Sequence, residues 1–228
     1  ELITPVVKTL ASRANVSVAL NYDHGQEKKY LIKAIDDGFS SVMIDASRLD
    51  FENNIAMTKE IADYAHAHGA SAEGEIGCLG ASEGGEFTGE SMYTDPKQAK
   101  EFFERTGIDA LAISIGTSHG NYPEGMVPKF DIERLREIKR LTNAPLVLHG
   151  GSGSGEENIL NSVKNGINKI NVGCDFMNAN RDAAAKLLRE NPEINYFDLI
   201  HKTEKESVGL VKYYIGLSGS AGKNKNLN

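Results

Sequence analysis

APLVLHGGSGSGEENILNSVKNG, residues 144–166, runs from a short apolar segment through a histidine and a glycine-rich turn into a stretch that ends at Gly166. APLVLH (144–149) reads as a buried strand, because a short apolar run bounded by turn residues has that signature. EENILNSVKNG (156–166) reads as a helix. Between them, backbone N–H groups of Gly150, Gly151, Ser152 and Gly153 join a helix N-terminus in a cradle suited to phosphate. The same strand-then-helix unit recurs along the chain in both directions, and that recurrence decides the fold.

Upstream, VSVAL (16–20), SSVMIDA (40–46), ASAEGEI (70–76) and DALAISI (109–115) read as strands; downstream, NKINV (168–172) is the last. Helices are expected over 26–38, 52–68, 131–141, 175–190 and roughly 195–216, with the end of another over 5–13. A further helix starts at Asp95-Pro96, where Asp caps and Pro suits the first turn. Strict alternation of β and α predicts a parallel sheet with helices outside. Six strands do not close an eight-stranded barrel. The expectation is therefore an α/β chain, a (β/α)8 TIM barrel lacking about two N-terminal βα units, as a single domain over 1–228. Residues 77–94, rich in Gly, Ser and Glu, read as a mobile active-site loop. The tail GSAGKNKNLN (219–228) reads as flexible.

Composition narrows the function. With 228 residues and 40% hydrophobic content, the chain is ordinary for a globular domain. A formal charge of −7 argues against nucleic acid as a general partner. It leaves room for a phosphorylated small molecule bound by a local anion cradle. Cys78 and Cys174 are the only cysteines, so no disulfide framework is indicated and a cytoplasmic setting is expected. No apolar stretch approaches the roughly 20 residues of a membrane span.

Three histidines carry the chemistry. His24 (VSVALNYDHG), His119 (LAISIGTSHG) and His149 each follow an apolar run and precede glycine. In a parallel barrel the strand C-termini converge on one mouth. Three imidazoles there can hold a catalytic zinc with a fourth position open to substrate. Asp23, beside His24, is placed for general acid–base work. Glu73 and Glu75 share one face of their strand; a buried carboxylate at its end could hydrogen-bond a metal-bound His or ligate the metal itself. Glu83, Glu86 and Glu90 on the long loop include a candidate for moving a carbon-bound proton. Loops after the last two barrel strands commonly bind phosphate, and Gly151, Ser152, Asn171, Gly173 and Cys174 stand there. His66 and His68, at a helix end, read as favourable charges at a C-terminus. No lysine at a strand end stands out for Schiff-base chemistry; Lys169 sits just before the apolar centre of the last strand.

In order, VALNYDHG, SSVMIDAS, EGEIGCLG, IGTSHG, PLVLHGGSG and KINVG resemble the class II, zinc-dependent ketose-bisphosphate aldolases over nearly the whole chain. The resemblance implies reversible aldol cleavage of a ketose 1,6-bisphosphate, of fructose or tagatose type, to dihydroxyacetone phosphate and glyceraldehyde 3-phosphate. It implies His24, His119 and His149 as zinc ligands, with Glu75 near the metal. Asp23 becomes the acid/base at the aldehyde oxygen and Glu83 the residue that exchanges the ketose-side proton. Gly120, Gly150, Gly151, Ser152 and Asn171 become contacts to the dihydroxyacetone phosphate half. It further implies Zn2+, in some members a monovalent cation (Na+ or K+), and a homo-oligomer, dimer or tetramer. Two departures stand out: the loop reads LGASEGGEF, and Gly173-Cys174 replaces a usual alcohol-bearing Thr. Other readings are an inositol-breakdown aldolase acting on a phosphorylated keto acid, a non-catalytic aldolase-like protein, a metal-dependent hydrolase, and a non-metal phosphosugar isomerase.

Overall fold

The computed structural model describes residues 2–77, 93–118, 120, 122–123 and 125–224. Among them, helices and strands alternate: α1 (Ile3–Ala11), β1 (Asn21–Gly25), α2 (Lys28–Asp36), β2 (Ser41–Ile44), α3 (Phe51–Ala67), β3 (Ser71–Ile76), α4 (Pro96–Thr106), β4 (Ala110–Ile113), α5 (Ile132–Thr142), β5 (Leu146–Leu148), α6 (Glu156–Lys164) and β6 (Ile167–Ile170), followed by α7 (Cys174–Glu190) and α8 (Tyr196–Leu217). Local chemistry starts several helices where the sequence predicts. The side chains of Asp50, Asp95 and Asp131 accept backbone N–H groups in the first turns of α3, α4 and α5.

The strands form one sheet in chain order, β1 to β6, and every neighbouring pair is parallel. Its outer face carries Val42, Ile44, Leu111, Ile113, Leu146 and Leu148, packed against Leu31, Ile61, Phe102, Leu135 and Ile138 of the helices. Gly74 allows that approach, because a Cβ there would lie 2.9 Å from Thr58 and 3.1 Å from Phe102. The inner face holds a smaller cluster of Met43, Ala112 and Val147. Residues in register share a face of a pleated sheet. Met43 pairs with Glu73, Glu75 with Ala112, and Val147 with both Ala112 and Lys169. Glu73, Glu75 and Lys169 therefore project into the interior.

The sheet is curled. On a flat sheet β1 and β6, five strand spacings apart, would be separated by about 24 Å. Yet Asn171, just after β6, lies 3.1 Å from the carboxylate of Asp23 on β1. Six parallel strands thus form a partial barrel whose C-terminal ends face one another. The chain's end follows the same curvature: Asn224 accepts from the backbone N–H of Ser17 and donates to the carbonyl of Asn15.

One boundary is corrected. Residues 16–20, expected as a strand, are not one; β1 begins at Asn21. Its neighbour β2 begins at Ser41, in register with Asn21. Residues 16–19 thus run past the start of β2, and only the Leu20 carbonyl receives sheet-like hydrogen bonds, from Ser40 and Ser41. Val16 and Val18 are accordingly about half exposed.

Candidate active site

His24 owes its position to an irregularity. Between Tyr22↔Val42 and Gly25↔Ile44 the register shifts, so β1 carries one residue more than β2. A bulge of this kind re-aims a side chain. His24 takes the strain, with φ at 48°, a left-handed conformation rare outside glycine. Its ring lies 4.6 Å from that of His149, centroid to centroid, at a steep angle. Asp45, which follows β2, accepts from His24 Nδ1 at 2.9 Å and from Ser47 at 2.8 Å. Asp45 was not singled out from sequence. Its signal was there, since SSVMIDA is an apolar strand ending in a chemically active residue, the same pattern that marks the histidines.

His149 is 1% exposed and is held from two sides. Its Nε2 lies 2.9 Å from Glu73 Oε1, and its Nδ1 lies 3.1 Å from Asn171 Nδ2. Asn171 also reaches Asp23 Oδ1 and Oδ2, at 3.2 and 3.1 Å. Glu73 bonds Lys169 through its other oxygen at 2.8 Å. Lys169 is therefore committed to an ion pair.

Charge in this interior is crowded. Burial raises Glu75, and repulsion from Asp45 adds to that, bringing it to about 8. Among the described residues its Oε2 is buried without a hydrogen-bond partner, and it lies 3.9 Å from His24 Nδ1. Burial works to lower His24, but the hydrogen bond to Asp45 and the charges of Asp23, Glu75 and Asp45 overcome it and carry it up to about 9. Burial likewise works to raise Asp45, and its bonds from His24 and Ser47 win, leaving it at about 2. Glu73 is lowered despite its burial, chiefly by His149 and Lys169.

These donors fit a divalent cation. Ligand atoms of Asp23, His24 and His149 lie within 4.8 Å of one another, and so do those of His24, Asp45 and Glu75. The orphaned Glu75 oxygen is a buried acceptor for which a cation would be a partner. Proton release is the expected consequence. Near neutral pH the free site holds protons on His24 and Glu75, because both lie above 7. A metal takes deprotonated ligands, so affinity for a divalent metal should rise with pH and level off above about 9. Calorimetric titration of a divalent metal salt in buffers of differing ionisation enthalpy reads the release; buffer-independent heats at pH 7 would contradict it.

The phosphate-type cradle is built between two strand ends. Gly151 donates its N–H to Asn171 O at 3.1 Å, and a Cβ at Gly151 would lie 2.7 Å from Ile170. Asp175, in the first turn of α7, donates its N–H to Ser152 Oγ, while its carboxylate accepts from the Gly153 N–H and the Tyr214 hydroxyl. Gly150 has φ at +68°, and a Cβ there would sit 2.4 Å from the Ser118 carbonyl. Gly150→Ala should therefore destabilise the protein by about 1–3 kcal/mol from strain alone and push the loops after β4 and β5 apart. Denaturant unfolding beside phosphate affinity checks this, and an unchanged midpoint with unchanged affinity refutes it.

A cleft of about 390 Å³ opens over these groups, lined by Asp23, His24, Gly120, His149, Gly150, Ser152, Asn171, Gly173, Cys174 and Met177. Nine of those residues are ones the sequence singled out. His119, Glu83, Glu86, Glu90 and Cys78 lie outside the described residues. His66 and His68 stand away from the cleft: His66 pairs with Asp109 at 2.9 Å, and His68 bonds the Tyr64 carbonyl. At the base of the long loop, the Thr94 hydroxyl donates to the Ile76 carbonyl and accepts from Ser114 N–H. That hydroxyl ties the end of β3 to the approach to α4.

A parallel α/β sheet curled so that histidines, carboxylates and a glycine-rich loop meet at its C-terminal mouth has the layout of a barrel enzyme. Comparison identifies the family: residues 1–223 match fructose-bisphosphate aldolase class-II, and the chain belongs to that family of aldehyde-lyases. The YdjI aldolase of Escherichia coli K12 is 33% identical, with a TM-score of 0.82 over 98% of this chain and 77% of that one. The fructose-bisphosphate aldolase of Campylobacter jejuni is 26% identical, with a TM-score of 0.77 over 95% of this chain and 74% of its own. None of the described helices is long and apolar enough to cross a membrane.

Proposed function

We propose that this protein catalyses the zinc-dependent, reversible aldol cleavage of a ketose 1,6-bisphosphate, of fructose or tagatose type, to dihydroxyacetone phosphate and glyceraldehyde 3-phosphate. The observation that carries this reading is the meeting of His24, His149 and Asp23 within one ligand radius beside the Gly150–Ser154 loop. His24 and His149, with His119 from sequence, would hold the zinc, with Glu75 as a further donor near it; Asp45 holds His24 through Nδ1. Bound there, zinc supplies a Lewis acid that polarises the ketone oxygen and stabilises negative charge as the carbon–carbon bond breaks.

The remaining steps belong to the chain. Asp23 takes the C4 hydroxyl proton as the C3–C4 bond cleaves and returns it in condensation. Asn171, within reach of both Asp23 and His149, orients that carboxylate. The proton gained on carbon by the three-carbon fragment is assigned, on sequence alone, to Glu83. Gly150, Ser152, Gly173 and Cys174 bind the phosphate through the loop and the α7 N-terminus, with Gly120 beside them; Gly151, whose N–H is taken by the Asn171 carbonyl, lets the phosphate approach because it has no side chain. A monovalent cation near these loops and a cytoplasmic homo-oligomer, dimer or tetramer, complete the reading. The six strands are six of the eight of a closed barrel. Among the described residues β1 and β6 each pair on one side only, which supports this, as do the exposed apolar residues Val6 on α1 and Phe197 and Ile200 on α8.

A coupled assay for dihydroxyacetone phosphate release, with fructose and tagatose bisphosphates and an inositol-derived phosphorylated keto acid in parallel, tests the activity. Cleavage lost to a chelator and regained with zinc is expected. Cleavage indifferent to chelation, or none of any substrate by zinc-loaded protein, overturns the proposal.

A further inference from the structure

We propose that Lys169 and Glu73 are positioning residues that select the tautomer of His149. Together they keep its proton on Nε2 and leave Nδ1 as the nitrogen offered to the cleft. This rests on the reading of His149 as a metal ligand, and it concerns residues that reach the cleft only through that ring.

The argument is one of donors and acceptors. Glu73, 3% exposed on the inner face of β3, has its two oxygens divided: Oε1 lies 2.9 Å from His149 Nε2, and Oε2 lies 2.8 Å from Lys169 Nζ. A lysine ammonium only donates, and a carboxylate only accepts. Lys169 thus fixes which oxygen it occupies, and the other can be satisfied by His149 only if Nε2 carries hydrogen. The Asn171 amide nitrogen lies nearer Nδ1, at 3.1 Å, than Nε2, at 3.4 Å, which agrees, since its N–H can donate to a bare Nδ1. His24 shows the complementary choice: Asp45 takes Nδ1. Two neighbouring rings are thus polarised by carboxylates on opposite nitrogens. A carboxylate behind a ligating imidazole fixes its orientation and raises its basicity. The pattern spans β3, β5 and β6, so it exists only once the sheet has curled.

The donor logic makes an unusual forecast for substitutions. In Glu73→Gln, Lys169 still requires an oxygen and takes the amide carbonyl. The amide NH2 then faces His149 Nε2, which must accept, so the ring proton moves to Nδ1. In Glu73→Gln/Lys169→Met, the amide is free to turn its oxygen back to His149, and the original tautomer returns. Long-range proton–nitrogen correlation NMR reads this directly, on metal-stripped protein labelled at histidine nitrogen and held at mildly alkaline pH. The His149 signals are those lost in His149→Gln.

Expected are Nε2–H in the unsubstituted protein, Nδ1–H in Glu73→Gln and Nε2–H again in the double variant. Zinc Kd should weaken about 10–100-fold in the single variant and recover in the double. A proton on Nδ1 in the unsubstituted protein overturns the inference without any substitution. A double variant no better than the single one in tautomer and zinc Kd overturns it as well. Zinc binding undiminished in His149→Ala would instead sink the reading of His149 as a ligand, while the tautomer result would stand on its own.

Discussion

His149→Ala is expected to abolish zinc-dependent cleavage, with kcat/KM falling about 10³-fold or more. That figure follows from losing several kcal/mol of charge stabilisation at the transition state, each 1.36 kcal/mol being tenfold in rate. The side chain is almost wholly buried and sits among Glu73, Asn171 and the ring of His24. Its removal takes a donor from the Asp23–His24–His149 group and takes the His149 partner from Glu73 Oε1, while Lys169 still holds Oε2. Metal content of the purified variant, beside its cleavage rate and circular dichroism, makes the check. Full activity in a folded variant would refute the ligand assignment.

Asp23→Asn should be the second large effect, a fall in kcat of about 10²–10⁴-fold with little change in KM, the range for removing a general acid–base group. Asparagine keeps the shape and can still meet Asn171, but it cannot take the C4 hydroxyl proton. Because Asp23 is exposed at the cleft rim rather than packed in the core, the variant should fold as the parent does. A defect confined to KM would assign Asp23 to binding, and an unchanged kcat would remove it from the mechanism.

Much of this was legible in the chain because it is written locally. Apolar runs such as APLVLH and SSVMIDA are buried on both faces of a parallel sheet, so their hydrophobicity is continuous and easy to find. Asp95-Pro96 announces α4 because capping is a contact between residues three apart. Strand ends topped by His24 and His149, and the glycine loop that follows β5, are likewise read from neighbours in sequence. VSVAL misled for the complementary reason: its apolar alternation is real, but a strand also needs a partner, and β2 starts too late to supply one.

Asp45, Glu73 and Lys169 show where such reading stops. Asp45 meets His24 across 21 positions and Glu73 meets Lys169 across 96, so no spacing rule connects them. By itself, then, the order of residues determined the alternating architecture, the histidines at strand ends and the phosphate-type loop, because periodicity, capping and turn chemistry act over a few residues. Only the tertiary structure decided which carboxylate stands behind which imidazole, and that Glu75 holds an oxygen unpartnered among the described residues. Those choices depend on curvature that carries β1 and β6 together, and curvature is a property of the whole sheet.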